Sequence, residues 1–488
     1  MENVKESRQG CQLAGATRAE RQMGKSQRVR DPVHNLIEFD GGDFEQTCWK
    51  VLQTRPMQRL RRVKQLGFSE YTYPGASHTR LSHSIGVFHT ARLLAEVVRK
   101  SLGNDHYRQS DAQIAIAAAL VHDVGHGPFS HAFEDALKKL KKGRKHELRT
   151  RQIMQTDEMQ EAFEDYPELP EQIADLIEAE FPTNIYASIV SSQMDADRLD
   201  YMRRDRMMSG TQQSGIDFDW LLSNLEVQKV PVGQDGKFVR KAYTFVINEK
   251  AVVAAEGYIF SLLYLYKNVY FHKTTRGLEK IFTALVFRIA ELVQEGSEEK
   301  AGLHSTHPLV QFLRDAEDIE NFLALDDTVV LGSLNSMSLA PDGAVAELAI
   351  RLRDRKIYKC IDVTNRMMRS FGLPKEDDDA DAQAARGAEA ARRVARVAEM
   401  VAERGLLTQM ADNVPLFLED TAPRSPYKRV DSSRLFSRIH VAAGKDLHDL
   451  AEMSPAVNSL SDYKAYRLYG RDRAEVREIE RIIEEASQ

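Results

Sequence analysis

The run IAIAAALV (114–121) holds eight apolar residues in succession, then breaks off into His122 and Asp123. A helix that is apolar on every face must be surrounded by protein, so this segment predicts the centre of a helical core. Its polar end is then buried too, and a buried imidazole beside a buried carboxylate needs a partner that offsets their desolvation. The residues that follow, VGHGPFSHAFE (124–134), add His126, His131 and two glycines. So many imidazoles at the end of an apolar helix raise the question of what ligand they face.

The surroundings read as helical. LSHSIGVFHTARLLAEVVRK (81–100) places Ile85, Phe88, Leu93, Leu94 and Val97 at mostly helical spacing. DAQIAIAAALVHD begins with an N-cap candidate, Asp111, and Gly125 is its expected stop. QRLRRVKQLGF (58–68) reads as a helix stopped by Gly67, and SSQMDADRLDYMRRDRMMSG (191–210) as one closed by Gly210. VRDPVHNLIEF (29–39) is β-like with an Asp-Pro turn, and turn residues in PVGQDGK predict a hairpin over 227–248. Helices resume through 251–293, and the composition shifts after about 300. There an acidic linker leads into an Ala/Arg-rich helix, followed by short strands such as KIYKCIDVT (356–364) and a charged terminal helix. The expected fold is mainly α: an all-helical core with a small β-hairpin insertion and a mixed α/β C-terminal region. The expected partition is a flexible arm (1–27), a core (28–300) and a C-terminal region for regulation or oligomerisation (301–488).

Composition narrows the function. The 488 residues are 42% hydrophobic and 29% charged, with a net charge of −6, which gives no global electrostatic case for nucleic acid. The apolar run 114–121 falls short of the roughly 20 residues a membrane span needs, and the polar N-terminus lacks the apolar centre of a secretion signal. Cys11, Cys48 and Cys360 form no CxxC pair, which points to a reducing, cytoplasmic setting without thiolate zinc. The glycines at 125 and 127 lack the Lys-Ser/Thr of a phosphate-binding loop. KKLKKGRKHELRTR (138–151) is a basic run that reads as solvated surface or as a phosphate-attracting patch.

Two further candidates lie apart from the HD pair: His83 in RLSHSIG and Asp197 in MDADRLDY. His83, His122, Asp123 and Asp197 make a shell of two imidazoles and two carboxylates, suited to a Mn, Fe, Co, Ni, Zn or Mg ion with positions left for water and substrate. Arg80 stands three residues before His83, where a guanidinium can clamp a phosphate. Tyr201 and Asp205 follow Asp197 at i+4 and i+8 on one helix face and are candidates for holding ribose or phosphate.

The blocks GASHTRLSHSIG, LVHDVGHGPFSHAFE and DADRLDYMRRD, in the order H…HD…D, resemble the HD-domain phosphohydrolases. Within these they resemble the branch of the animal sterile-alpha-motif/HD dNTP triphosphohydrolase and its bacterial relatives, over roughly residues 28 to 290. The resemblance implies a helical core that binds one metal and hydrolyses nucleotide phosphoesters. It also implies a catalytic role for His126, an orienting acid in Glu134 and a second active-site imidazole in His146. Gln65 and Leu66 match positions lining the deoxyribose, Tyr270 matches the tyrosine beneath the sugar, and Arg198 joins this substrate-binding set. His131 reads as a structural neighbour. Two departures stand out. Leu262 replaces an arginine expected two turns before Tyr270, with Lys267, Lys273 and Arg276 as substitutes, and Gln53 replaces an aspartate that reads an activating guanine, although Gln58 and Arg61 match that regulatory site.

The expected activity is hydrolysis of a deoxynucleoside triphosphate to deoxynucleoside and tripolyphosphate by a homo-oligomer, with a nucleotide activator. Two other readings stay open: an HD phosphohydrolase for a monophosphate or signalling nucleotide, and a nucleotide sensor or nucleic-acid-binding protein with a vestigial site.

Overall fold

The computed structural model describes residues 25–179, 184–213, 215–234, 237–424, 427 and 438–488. All but the last three residues of the expected N-terminal arm lie outside them. The fold is mainly helical, with small sheets and a mixed α/β C-terminal region, as the sequence implies.

The apolar run forms the helix Gln109–Val121, in which Ala112 and every residue from Ala115 to Val121 are buried. Two helices bring the other motif blocks against the same core. Arg80–Leu102 starts on Thr79, whose side chain accepts from Ser82 N, and ends at Gly103 with φ 71°. Ala196–Ser209 starts on Asp195, which accepts from Arg198 N, and ends at Gly210 in the left-handed region. The strand pair Gln27–Asp31/Asn35–Phe39 closes this core on one side, with Ile37 and Phe39 fully buried.

Three local expectations need correction. The Gly67 segment breaks earlier, as helix Arg55–Arg59 and the 3₁₀ turn Leu60–Arg62. The backbone there is drawn to the start of the His83 helix: Lys64 bridges Thr79, and Arg80 N–H donates to Val63 O at 2.9 Å. Gly67 instead opens a second 3₁₀ segment at φ +48°, with Phe129 O 3.5 Å from where a Cβ would stand. Asp111 is not the N-cap. The helix begins at Gln109, Arg108 caps it, and Asp111 serves in the first turn, where a negative charge suits the helix dipole. Gly125 is not the stop either, since the helix ends at Val121. It is a point of close approach, for a Cβ there would fall 2.1 Å from His146 O.

The expected hairpin exists as Leu225–Gln234 paired with Lys237–Asn248. It is the base of a larger sheet, because His440–Ala443 adds in parallel to the second strand and Asp446–Asp449 follows antiparallel. A second, all-antiparallel sheet has Tyr463–Gly470 between Lys359–Asp362 and Phe417–Arg424. The main hydrophobic core runs from Ile37 to Tyr469, and a smaller one joins Val363, Val397, Leu468 and Ile482. No helix among the described residues is long and apolar enough to cross a membrane.

The His83 and Asp197 helices meet at Gly86. A Cβ there would stand 2.0 Å from Asp200 Oδ1 and 2.3 Å from Arg204 Nη2, both in a buried ion pair that cannot swing away. Alanine gains about 1 kcal/mol of helix propensity over glycine, but overpacking of this kind costs about 1–3 kcal/mol. Gly86→Ala is therefore expected to lower the thermal midpoint, a result readable by calorimetry on the full chain.

Candidate functional site

The end of the buried helix delivers His122 and Asp123 to the face where His83 emerges from its own helix. His83, His122 and Asp123 each offer a ligand atom, all within 4.8 Å of one another. Asp197 Oδ1 lies 2.9 Å from His83 Nε2 and 3.7 Å from His122 Nε2. The four residues expected from three separated blocks thus converge.

Each imidazole is held from behind. His122 Nδ1 donates to Ala119 O at 2.9 Å, and its Nε2, buried, makes no hydrogen bond. His83 Nδ1 lies 2.8 Å from Asp200 Oδ2. A buried nitrogen without a hydrogen bond, facing two carboxylates and a second imidazole, is what a divalent cation site requires, so the donor set fits such an ion.

The electrostatics are strongly coupled. Burial opposes charge on His83, but its hydrogen bonds to Asp197 and Asp200 prevail and raise its pKa to about 10. Burial likewise opposes charge on His122, while the Asp123 carboxylate raises its pKa. Asp123 sits well below the carboxylate range against the pull of burial, because Arg80 and His122 lie beside it. Arg80 reaches it directly, with Nη1 at 2.5 Å from Oδ2, and its Nε donates to Ser130 Oγ at 2.9 Å.

A second group lies on the other side of Asp123. His126 Nε2 is 3.3 Å from Asp123 Oδ1, and its Nδ1 is 3.2 Å from Glu134 Oε1. His146 Nδ1 is also 3.2 Å from Glu134 Oε1, and the His126 and His146 rings stack at 4.0 Å. Burial, with the positive Arg80 and His146 nearby, pushes the His126 pKa down to about 4, so the ring is neutral near pH 7. Burial works against a charged Glu134, yet bonds from His126, His131 and His146 hold its pKa far below the usual range. His131 is 71% exposed at its side chain and meets Glu134 Oε2 at 3.5 Å, a neighbour of the group at its solvent edge.

The expected substrate residues form a chain of contacts. Gln65 N–H donates to His78 O, His78 Nε2 lies 2.9 Å from Asp205 Oδ1, and Tyr270 O–H donates to Asp205 Oδ2 at 2.7 Å. Tyr201 meets the Tyr270 ring edge-on at 6.1 Å, and Gln65 Oε1 is buried without a hydrogen bond. Leu66 packs half-buried against the core. Asp205 is thus already engaged by two donors. Arg198 is engaged elsewhere, donating from Nη1 to Gln193 Oε1 at 2.5 Å with Nε 3.8 Å from Asp195. Leu262 is buried. Of its candidate substitutes, Arg276 is committed to Asp420 and Glu279, and Lys267 lies over the Tyr463 ring. Gln58 Nε2 donates to Leu52 O and its Oε1 accepts from Arg61.

Residues the motif blocks do not announce complete the site. Arg59 donates from Nη2 to His126 O and from Nε to Leu325 O. Asp327 accepts from Phe129 N–H at 2.8 Å, steadying Phe129 and Ser130 at φ 51° and 52°. Asp200 is fully buried behind His83. The one sequence signal for it was its place one helical turn after Asp197, and Arg59 and Asp327 carried none.

The HD domain profile matches residues 80–205. An uncharacterised protein of Bacillus subtilis, YwfO, is 31% identical over 338 residues, covering 68% of this chain and 71% of that protein. The mouse deoxynucleoside triphosphate triphosphohydrolase SAMHD1 is 26% identical over 372 residues, 68% of this chain but 54% of its own length. A crystal structure of a phosphohydrolase from Bacteroides thetaiotaomicron superposes with a TM-score of 0.67 at 24% identity, covering 91% of this chain and all of that one, and shows the shared fold.

The His83 shift has a consequence for the metal-free protein. In the unfolded chain this imidazole titrates near 6.5, whereas in the fold it keeps its proton up to about 10. The stabilisation is fully present below pH 6.5 and is lost as pH rises through 10. The thermal midpoint of metal-free protein is expected to fall over that window, and His83→Gln to remove that part of the slope. Cation binding must displace the same proton, so affinity for a divalent ion is expected to weaken as pH falls.

Proposed function

Because the chain belongs to the HD-domain phosphohydrolases related to the dNTP triphosphohydrolases, we propose that it hydrolyses a deoxynucleoside triphosphate to the deoxynucleoside and tripolyphosphate. The reading is supported most by one observation: the His83–His122–Asp123 cluster stands beside a separate His126–Glu134–His146 group, the two joined through Asp123. Relatives named for this activity in mouse and chicken support the substrate class.

In this proposal His83, His122, Asp123 and Asp197 hold the ion. A bound divalent cation supplies Lewis acidity toward a phosphate oxygen and lowers the pKa of water. Arg80 offsets negative charge on the phosphate. His126, neutral near pH 7, takes up a proton at the reacting phosphate. Glu134 orients that ring and spreads the resulting charge toward His146. Tyr201, Asp205 and Tyr270 pack the sugar, and Gln65 and Leu66 line it, so that crowding disfavours a 2′-hydroxyl. Arg198 joins the substrate-binding set if it leaves Gln193 and Asp195 when substrate binds. The region after residue 301 serves regulation or self-association.

A second reading, a monophosphate or signalling nucleotide as substrate, is favoured by buried Leu262 where a phosphate-binding arginine is expected. Incubating the protein and Mn²⁺ with each dNTP, NTP and dNMP, singly and mixed, separates the readings. Tripolyphosphate release from dNTPs is expected, and turnover of monophosphates alone would shift the assignment. With Gln53 in place of the guanine-reading acid, GTP added to a single non-guanine dNTP is expected to give no large, saturable activation.

Roles within the site separate by variant. His126→Ala is expected to keep its metal and a folded core while losing about 10²–10⁴-fold in turnover, the usual range for a general acid-base group. Arg80→Ala is expected to lose turnover and raise KM, since a ground-state phosphate already feels the guanidinium. Near-native turnover in His126→Ala would assign the proton to His146.

A further inference from the structure

Asp200 is a carboxylate with no solvent exposure, on the same helix as Asp197 and facing the opposite side of the His83 ring. Four donors meet its two oxygens. Oδ2 is 2.8 Å from His83 Nδ1 and accepts from Arg204 Nε at 2.8 Å, and Oδ1 is 2.7 Å from His34 Nε2 and accepts from Arg204 Nη2 at 2.9 Å. An ionised carboxylate offers about four lone-pair positions and no proton, so every position is used and none can donate. Arg204 supplies the compensating charge and passes it on to Asp31 at 2.8 Å.

This arrangement removes a freedom that His83 would otherwise have. A neutral imidazole carries its proton on either nitrogen, and only the unprotonated one can bind a cation. Facing an acceptor with no proton of its own, Nδ1 must be the protonated nitrogen. Nε2 is turned the other way, to Asp197 at 2.9 Å and Asp123 at 3.8 Å, on the side shared with His122, so it is the nitrogen that gives up its proton when a cation binds. His122 is set in the same sense by a neutral acceptor, the Ala119 carbonyl. Only His83 is backed by a charge, which adds electron density to the ring as well as orientation.

We propose that Asp200 is the positioning residue of the cation site, holding His83 with Nδ1 protonated and Nε2 turned to the ion. The proposal rests on the reading of His83 as a cation ligand. It extends the working site beyond the 80–205 match, because Asp200 is itself anchored by His34 and, through Arg204, by Asp31 of the N-terminal strand pair.

The test titrates Co²⁺ alone into metal-free full-length protein, followed by visible absorption and calorimetry. The wild type is compared with His83→Ala, Asp200→Asn and Asp31→Asn. Asp200→Asn is expected to bind about 10–100-fold more weakly, the usual cost of losing such a partner. Asp31→Asn, which loosens the same network without touching His83, is expected to melt earlier and keep its Co²⁺ affinity. An equal loss in both variants would mean that Asp200 acts through the fold alone, and wild-type affinity in Asp200→Asn would remove its role while leaving the ligand assignment intact. Wild-type affinity in His83→Ala would instead overturn the ligand assignment. Should Asp200→Asn not fold, the wild type loaded with Zn²⁺ and labelled with ¹⁵N at histidine decides the matter. A proton on His83 Nδ1 is expected, and one on Nε2 overturns the proposal.

Discussion

A guanidinium buried without a carboxylate partner holds the site loop in place. Arg59 is 1% exposed and gives its donors to the carbonyls of Leu325, Val124 and His126. Burial pushes its pKa down only to about 10, so it remains charged. Its cationic face rests on the Phe322 ring at 4.7 Å, which makes burial of the charge tolerable. Two of these carbonyls belong to one loop, at Val124 and His126, and the third, Leu325, lies far along the chain. One cation therefore ties the loop after the buried helix to the region beyond residue 300, and the direction of the His126 ring follows from that tie.

The loop needs such support because its backbone is strained. Phe129 and Ser130 both take positive φ, a conformation that costs energy for residues with side chains. Asp327 compensates by accepting from Phe129 N–H and Lys64 N–H together, and the Phe129 ring stacks on Phe68 at 4.2 Å. What the strain achieves is placement: Ser130 Oγ meets Arg80, and the next helix, His131–Lys139, carries Glu134 back under His126.

Charge balance explains why carboxylates can crowd here. Asp123 leans on Arg80, Asp200 on Arg204, and Asp197 on two imidazoles. Two carboxylates are thus matched by arginines, while the third depends on rings that must give up a proton to receive a cation. The proposed cation site lies at that imbalance, between His83 and His122, and His126 beside it is neutral near pH 7, as its proposed role requires.

Much of this was legible in the chain. An alanine-rich, all-apolar run ending in His-Asp reads as a buried helix with a polar end. His83, His122, Asp123 and Asp197 were legible because ligand chemistry restricts residue type, Arg80 and Glu134 stand in the motif blocks, and His146 came from the family resemblance. The helix end at Gly210 follows local capping, a rule that acts within a few residues. What escaped depends on partners distant in sequence. Gly67 and Gly125 look like helix stops, yet they are places where another backbone comes close, against Phe129 and His146. Arg59 and Asp327 carry no signal in the chain and Asp200 only its place one turn after Asp197, and packing alone shows that each is buried and holds the backbone or a ring of the site. Local sequence determined which helices form and which residue types line the site. Tertiary structure alone decided which buried charges neutralise one another, because burial makes a charge depend on whichever partner the fold brings to it.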